Sequence, residues 1–298
     1  MKWSQALKDY QSYLRIERGL SQNTIASYSL DIKKLMQWLE ENSIRESPEK
    51  ITEKTLQEFI YQVAKSMTPR TQSRIISGLR GFFNYLIFEE YRNTNPLELM
   101  ESPKVGQKLP DTLSEEEIDT IISAIDLSKP QGQRNKAILE TLYGCGLRVS
   151  ELTELKISDL FFEEGFIKVT GKGDKQRLVP IAGSTIKYID LYVKEIRVHQ
   201  TIAENAKDTL FLNRRGNPLT RAMIFTIVKN LTELTGIQKN VSPHTFRHSF
   251  ATHLLQNGAD LRAIQQMLGH ESITTTEIYT HIDKTHLTQV MHQFHPRK

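Results

Sequence analysis

Four side chains towards the end of the chain carry groups suited to chemistry at phosphorus: His244, Arg247, His270 and Tyr279. His244-Thr245-Phe246-Arg247-His248 follows Ser242-Pro243, and a proline in the first turn is a helix-start signal. Three residues separate His244 from Arg247, so the spacing projects both from one helical face. Leu268-Gly269-His270 ends a second apolar helix at a glycine, and Tyr279 follows in Thr274-Thr275-Thr276-Glu277-Ile278-Tyr279-Thr280-His281. A guanidinium, two imidazoles and a phenol together suit attack on a phosphodiester. The tyrosine would be the nucleophile, and the cations would stabilise charge on phosphorus. A tyrosine taken alone is more often a half-buried packing residue; the cationic motif before it reverses that preference. His244 and His248 stand at i, i+4, as zinc ligands can, but no Glu follows the first His and Arg247 between them would repel a cation. No metal and no cofactor is expected.

The elements that must position these groups are mostly helices. In the first hundred residues Leu7, Tyr10 and Leu14 form one apolar stripe, and Ile25, Tyr28, Ile32, Leu35 and Leu39 a second with Ser21 placed to cap it. Leu56, Phe59, Ile60 and Val63 define a third helix, and Ile76, Leu79, Phe83 and Leu86 a fourth. Arg70, Arg74 and Arg80 lie elsewhere around that fourth segment, where a solvated face is the usual fate of charge. Residues 101–110, bounded by Pro103 and Pro110 and poor in core residues, read as a linker. The expected division is therefore 1–104, a linker over 105–111, and 112–298.

Beyond the linker, Ser114 and Glu117 make a capping box ahead of Ile118, Ile121, Ile122 and Ile125. A helix through Ile138, Leu139 and Leu142 breaks at Gly144-Cys145-Gly146, and the chain restarts at Leu147-Arg148-Val149-Ser150-Glu151-Leu152. Phe166-Ile167-Lys168-Val169-Thr170 and Arg177-Leu178-Val179-Pro180-Ile181 are β-rich runs joined by Gly171-Lys172-Gly173-Asp174, a hairpin pattern with Lys172 near its tip. Helices follow around 186–198, 223–234, 244–255 and 261–268, with Tyr279 in or beside a short one. Leu287, Val290, Met291 and Phe294 recur at i, i+3, i+4 and i+7, so the terminal helix has an apolar face to bury.

Composition sets looser bounds. With 298 residues there is room for two cores, and a net charge of +4 permits a nucleic-acid partner without demanding one. Each half keeps a small positive excess, which suits contact with DNA by both. Cys145 is the single cysteine, which excludes an internal disulfide and fits a reducing cytosol. Between two glycines it reads as a small buried residue. No apolar run reaches membrane-spanning length, and Met1-Lys2-Trp3-Ser4 leads into an amphipathic helix, not a signal peptide.

Five fragments carry a resemblance: Gly146–Leu152, Gly171–Asp174, His244–His248, Leu268–His270 and Tyr279–His281. In this order and spacing the chain resembles the tyrosine recombinase (phage integrase) family along essentially its whole length, and within it the Xer recombinases. The resemblance implies a mainly α fold: an N-terminal four-helix core-binding (SAM-like) domain, then a mostly helical, mixed α/β catalytic domain with a small antiparallel β-sheet. It implies the catalytic set Arg148, Lys172, His244, Arg247, His270 and Tyr279. Arg148 and Arg247 would grip the non-bridging phosphate oxygens, with Glu151 positioning them. Lys172, by spacing alone an exposed turn lysine, would protonate the departing 5′ oxygen. His244 and His270 would bond the phosphate or exchange protons with Tyr279, while His253 and His281 serve packing or a local hydrogen bond. Arg70, Arg74 and Arg80 become candidates for following DNA phosphates.

The same resemblance implies partners. They are a double-stranded DNA recombination site clamped between the two domains and a second Xer-type recombinase in a heterotetramer (or three further copies in a homotetramer). An FtsK-like septal DNA translocase could activate the assembly, and no membrane is involved. The terminal helix would pack on its own domain or dock on a neighbouring protomer. Chromosome-dimer resolution in the bacterial cytoplasm, on the nucleoid, is the expected role. An integrase of a mobile element would often add an N-terminal arm-binding domain, and a catalytically silent DNA-binding protein would lack one or more of the six matching residues. A nuclease resembling type IB topoisomerases would share the chemistry without needing a tail that joins protomers.

Overall fold

Ala6, Leu7, Tyr10 and Leu14 are buried along α1 (Trp3–Ile16), the face that their spacing calls for. The computed structural model describes residues 1–103, 111–269 and 281–297, and the chain falls into two units, Met1–Lys108 and Leu109–Lys298. The first continues with α2 (Gln22–Glu41), α3 (Glu53–Ser66) and α4 (Pro69–Phe88). Ser21, Thr52 and Thr68 each accept a hydrogen bond from a first-turn backbone N–H, and Pro69 opens α4 where its missing N–H costs nothing. The apolar faces of all four helices share one core around Ile32, Leu35, Leu56, Leu79, Phe82 and Phe83.

The second unit begins with α5 (Glu115–Ser123), whose capping box between Ser114 and Glu117 is formed in both directions. α6 (Gly132–Gly144) is buried on nearly every side through Ala137–Gly144, so it is the central helix of this unit. After α7 (Val149–Glu154) comes a three-stranded antiparallel sheet in the order β1-β2-β3: β1 (Leu160–Phe161), β2 (Phe166–Thr170) and β3 (Gln176–Pro180). The β2–β3 hairpin pairs Lys168 with Leu178 and Val169 with Arg177. β1 is an addition to the expected hairpin, since two residues are too few to show a period. α8 (Gly183–Leu191) runs on through a π turn at Tyr192–Ile196, and α9 (Arg221–Thr235) ends at Gly236 in the left-handed conformation. α10 (Pro243–Gln256), α11 (Leu261–Leu268) and α12 (His281–Phe294) complete the unit.

α6 packs against α8 and α10, which places Phe246 and Phe250 of α10 in the core beside Ile138 and Leu142. The terminal helix packs on its own unit in the single chain: Leu287, Val290 and Met291 are buried, and α12 contacts α10, α11 and β3. Beyond it, Arg297 pairs with Asp119 of α5 and Glu140 of α6, and Asn257 donates to Phe294 O at 2.7 Å.

Candidate active site

The site is built where α6 stops. Gly146 has φ +58, and a Cβ there would lie 2.5 Å from the Phe250 ring. Only glycine satisfies both the left-handed backbone and that close approach. Cys145 beside it is buried, and burial pushes its thiol up to about 12, as suits a packing residue. The turn delivers Arg148 to the N-terminus of α7, where its backbone N–H donates to Glu151 Oε2 at 2.8 Å and its Nη1 to Glu151 Oε1 at 2.7 Å.

Glu151 is the hub. Arg177 of β3 grips it with both ends of its fork, Nη1 to Oε1 at 2.8 Å and Nη2 to Oε2 at 2.9 Å. Arg247 of α10 lies 3.6 Å from Oε2 through its Nη1, which also donates to Gly146 O at 2.8 Å. The end of α11 provides a second anchor. Three successive carbonyls, which a helix terminus leaves without intrahelical partners, each accept from a different arginine. Met267 O takes Arg177 Nε at 2.7 Å, Leu268 O takes Arg247 Nη2 at 2.5 Å, and Gly269 O takes Arg148 Nη2 at 3.1 Å. The negative end of the α11 dipole therefore meets three cations, and the left-handed Gly269 ends the helix so that this is possible.

Charge in this cluster is lopsided. Among the described residues three guanidiniums surround one carboxylate, and Glu151, Arg177 and Arg247 have side chains only 2%, 6% and 9% exposed. Burial would raise the Glu151 carboxyl, but Arg177 and Arg148 outweigh it and hold the group below its usual range. Burial, with repulsion from Arg148, pushes Arg247 down to about 9, so it remains cationic at neutral pH. Arg148, 33% exposed, is the open edge of the cluster. A site with this surplus of positive charge and little water is suited to an anionic phosphate.

Of the six candidate catalytic residues, Arg148 and Arg247 are brought together on shared anchors. His244 sits exposed in the first turn of α10, one turn before Arg247. Lys172 belongs to the turn between β2 and β3, with its side chain outside the described residues. His270 and Tyr279 also lie outside them. His253 is buried and bonded through Nδ1 to the Tyr143 hydroxyl at 2.8 Å, the local role expected of it, while the His281 side chain is not among those described. Among the described residues no group of three His, Cys, Asp or Glu could hold a metal ion.

Of the three arginines expected to follow phosphates, Arg70 is exposed at the start of α4, and Arg74 and Arg80 are half-buried. Arg74 reaches buried Asp31 at 2.5 Å and Ser27 at 3.2 Å, and Arg80 donates to Leu97 O and Met100 O. Both guanidiniums brace their own unit. Arg177 is the site residue that sequence reasoning missed. Its signal is the two-residue period of a strand: Arg177 shares a face with Val179, which is fully buried, so an arginine there must point inward.

Comparison with known proteins identifies the family. Residues 111–286 match the phage integrase family, and residues 7–90 match the phage integrase N-terminal SAM-like domain. The chain is 42% identical to a protein of Staphylococcus haemolyticus named Tyrosine recombinase XerD, and 43% identical to one of that name from Oceanobacillus iheyensis, over 98% of both chains in each case. Among solved structures, the XerH site-specific recombinase bound to palindromic difH substrate in a post-cleavage complex is similar at 28% identity, with a TM-score of 0.72. That likeness covers 97% of this chain and 83% of the other. No helix among the described residues is long and apolar enough to cross a membrane. The chain belongs to the phage integrase family and is a site-specific tyrosine recombinase.

Proposed function

We propose that strand cutting runs through Tyr279. Its oxygen forms a bond to the scissile phosphorus, the bond from phosphorus to the 5′ oxygen breaks, and Lys172 gives that oxygen its proton. The products are a 3′-phosphotyrosyl link and a free 5′ hydroxyl. A 5′ hydroxyl from another strand then attacks the link, restores a phosphodiester and returns the tyrosine. Bond types are conserved, so no ATP is required for the exchange itself. Arg148 and Arg247 hold the non-bridging oxygens, while His244 and His270 hydrogen-bond the phosphate or relay the tyrosine's proton.

The observation that carries this reading is the fixed pair of forks. Arg148 and Arg247 share Glu151 and neighbouring α11 carbonyls, in a site where cations outnumber the carboxylate. The partner is a double-stranded recombination site, contacted by both units. Four protomers, two of them a second Xer-type recombinase in an XerC–XerD-like pairing, would exchange strands through a Holliday junction. The role is resolution of chromosome dimers at cell division, on the nucleoid in the bacterial cytoplasm, with an FtsK-like translocase as activator. The XerD-named relatives, matched over 98% of both chains, support that role over a mobile-element integrase.

A nicked duplex carrying a chromosomal resolution site, incubated with the protein in EDTA, tests the chemistry. A covalent protein–DNA band on a denaturing gel is expected with the wild type and not with Tyr279→Phe. A band that survives the substitution would assign the nucleophile elsewhere.

A further inference from the structure

Arg177 has no part in the steps above, yet it is tied more tightly to the site than either fork that faces phosphate. Its Nε, Nη1 and Nη2 all donate within the protein, to Met267 O and to both oxygens of Glu151. With 6% of its side chain exposed, it is set back from the open edge that Arg148 marks. Such a group is a poor phosphate ligand. Its effect must reach the reaction through what it holds.

Three things depend on it. First, Glu151 is shared: Oε1 also accepts from Arg148, and Oε2 lies 3.6 Å from Arg247. Paired in a bidentate fork with Arg177, the carboxylate is neutralised, and the positive charge of Arg148 and Arg247 is left for a ligand. Without Arg177, Glu151 would compete with the phosphate for those two forks. Second, Arg177 bridges β3 to the last turn of α11, which His270 follows in the sequence; the Gly269 Cβ position is only 3.1 Å from its side chain. Third, the Gly171 Cβ position is 3.5 Å from both Arg177 Nη1 and Glu151 Oε1, so the backbone immediately before Lys172 rests against this pair.

We infer that Arg177 is a positioning residue for strand cutting: it saturates Glu151 so that Arg148 and Arg247 face the scissile phosphate, and it sets the roots of Lys172 and His270. The inference rests on the phosphotyrosyl reading and adds to it a residue that touches neither DNA nor nucleophile.

The test uses full-length wild type, Arg177→Met, Arg177→Lys and Tyr279→Phe on two nicked duplexes. One has a natural scissile phosphate and the other a neutral methylphosphonate at that position. Covalent-complex formation is timed at saturating DNA, with the dissociation constant and melting temperature measured beside it. For Arg177→Met the rate on natural DNA is expected to fall about 10²-fold, in the range of a lost oxyanion donor. Affinity should change less than about threefold, because no phosphate contact is removed. On methylphosphonate the loss should shrink by about tenfold or more, because the neutral centre no longer needs two aimed cations. Arg177→Lys keeps the charge without the bidentate grip and should fall between; if Arg177→Met does not fold, this variant is judged by the same comparison. Equal losses on both duplexes, or an unchanged rate, would overturn the inference and leave the nucleophile intact. Absence of a covalent complex from the wild type would overturn the phosphotyrosyl reading, and this one with it.

Discussion

Glu151 shows how one side chain can govern a site without joining the reaction. It is nearly dry, and its two oxygens meet Arg148, Arg177 and, more distantly, Arg247. Removing one member of such a cluster leaves like charges buried without a counter-ion. Glu151→Ala is therefore expected to lower stability by about 3–5 kcal/mol, and Glu151→Gln, which keeps an acceptor, by less. Urea unfolding measures both, and equal midpoints for wild type and Glu151→Ala would remove the carboxylate from the hub. At this scale the sequence was partly legible. Spacing alone offered an ion pair between Arg148 and Glu151, three residues apart, whereas the positioning role of Glu151 came only with the family resemblance. Arg177 was not legible as a partner, because 26 residues and a hairpin separate it from Glu151.

Among elements, α12 and the tail beyond it are held by polar as well as apolar contacts. His295 is fully buried between the rings of Tyr143 and Phe250, and its Nδ1 accepts the Arg297 backbone N–H at 3.0 Å. Arg297, His253 and Tyr143 are the charged or titratable groups that act on it, and Arg297 is itself paired with Asp119 and Glu140. Burial, then Arg297 and His253, push its imidazole from 6.5 down to about 3. In the unfolded chain the group takes up a proton below about 6.5, whereas in the folded unit it stays neutral to about 3. The unfolded state thus binds more protons across that window, and stability is lost as pH falls through it. Melting temperature should drop on acidification below pH 6.5, and His295→Phe should flatten part of that slope; coincident slopes would mean that His295 is not held neutral. The apolar face of α12 could be read from its spacing. Which surface it covers could not, since the same stripe fits its own unit and a neighbour equally well.

For the molecule as a whole, a net charge of +4 is too small to explain DNA binding unless basic groups are gathered where phosphates run. The three arginines of α4 divide on this point. Arg70→Ala is expected to weaken binding with little effect on sequence preference and to reduce the salt slope of log K by about 1. Arg74→Ala and Arg80→Ala should instead lower the stability of the first unit, because Asp31 and the Leu97 and Met100 carbonyls lose their donors. Binding titrations between low and moderate salt, paired with thermal melts, separate the two outcomes. An unchanged salt slope for Arg70→Ala would place the phosphate path on another face.

The sequence by itself determined most of the helices, the caps at Ser21 and Ser114, the β2–β3 hairpin and the glycine break at Gly144-Cys145-Gly146. Each of these follows from preferences acting over a few residues: apolar period, N-terminal hydroxyls, a positive φ that only glycine adopts cheaply. The family resemblance, carried by compact motifs around Arg148 and Arg247, also identified the two forks. Only the tertiary structure decided what those forks rest on. Arg247 reaches Gly146 across 101 residues and Leu268 across 21, and the choice among Arg148, Arg177 and Arg247 for one carboxylate depends on where they lie in space. An arginine has the same chemistry whether it faces DNA, a buried aspartate or a helix end. Burial and the nearest acceptor assign its role, and those exist only once the chain has folded.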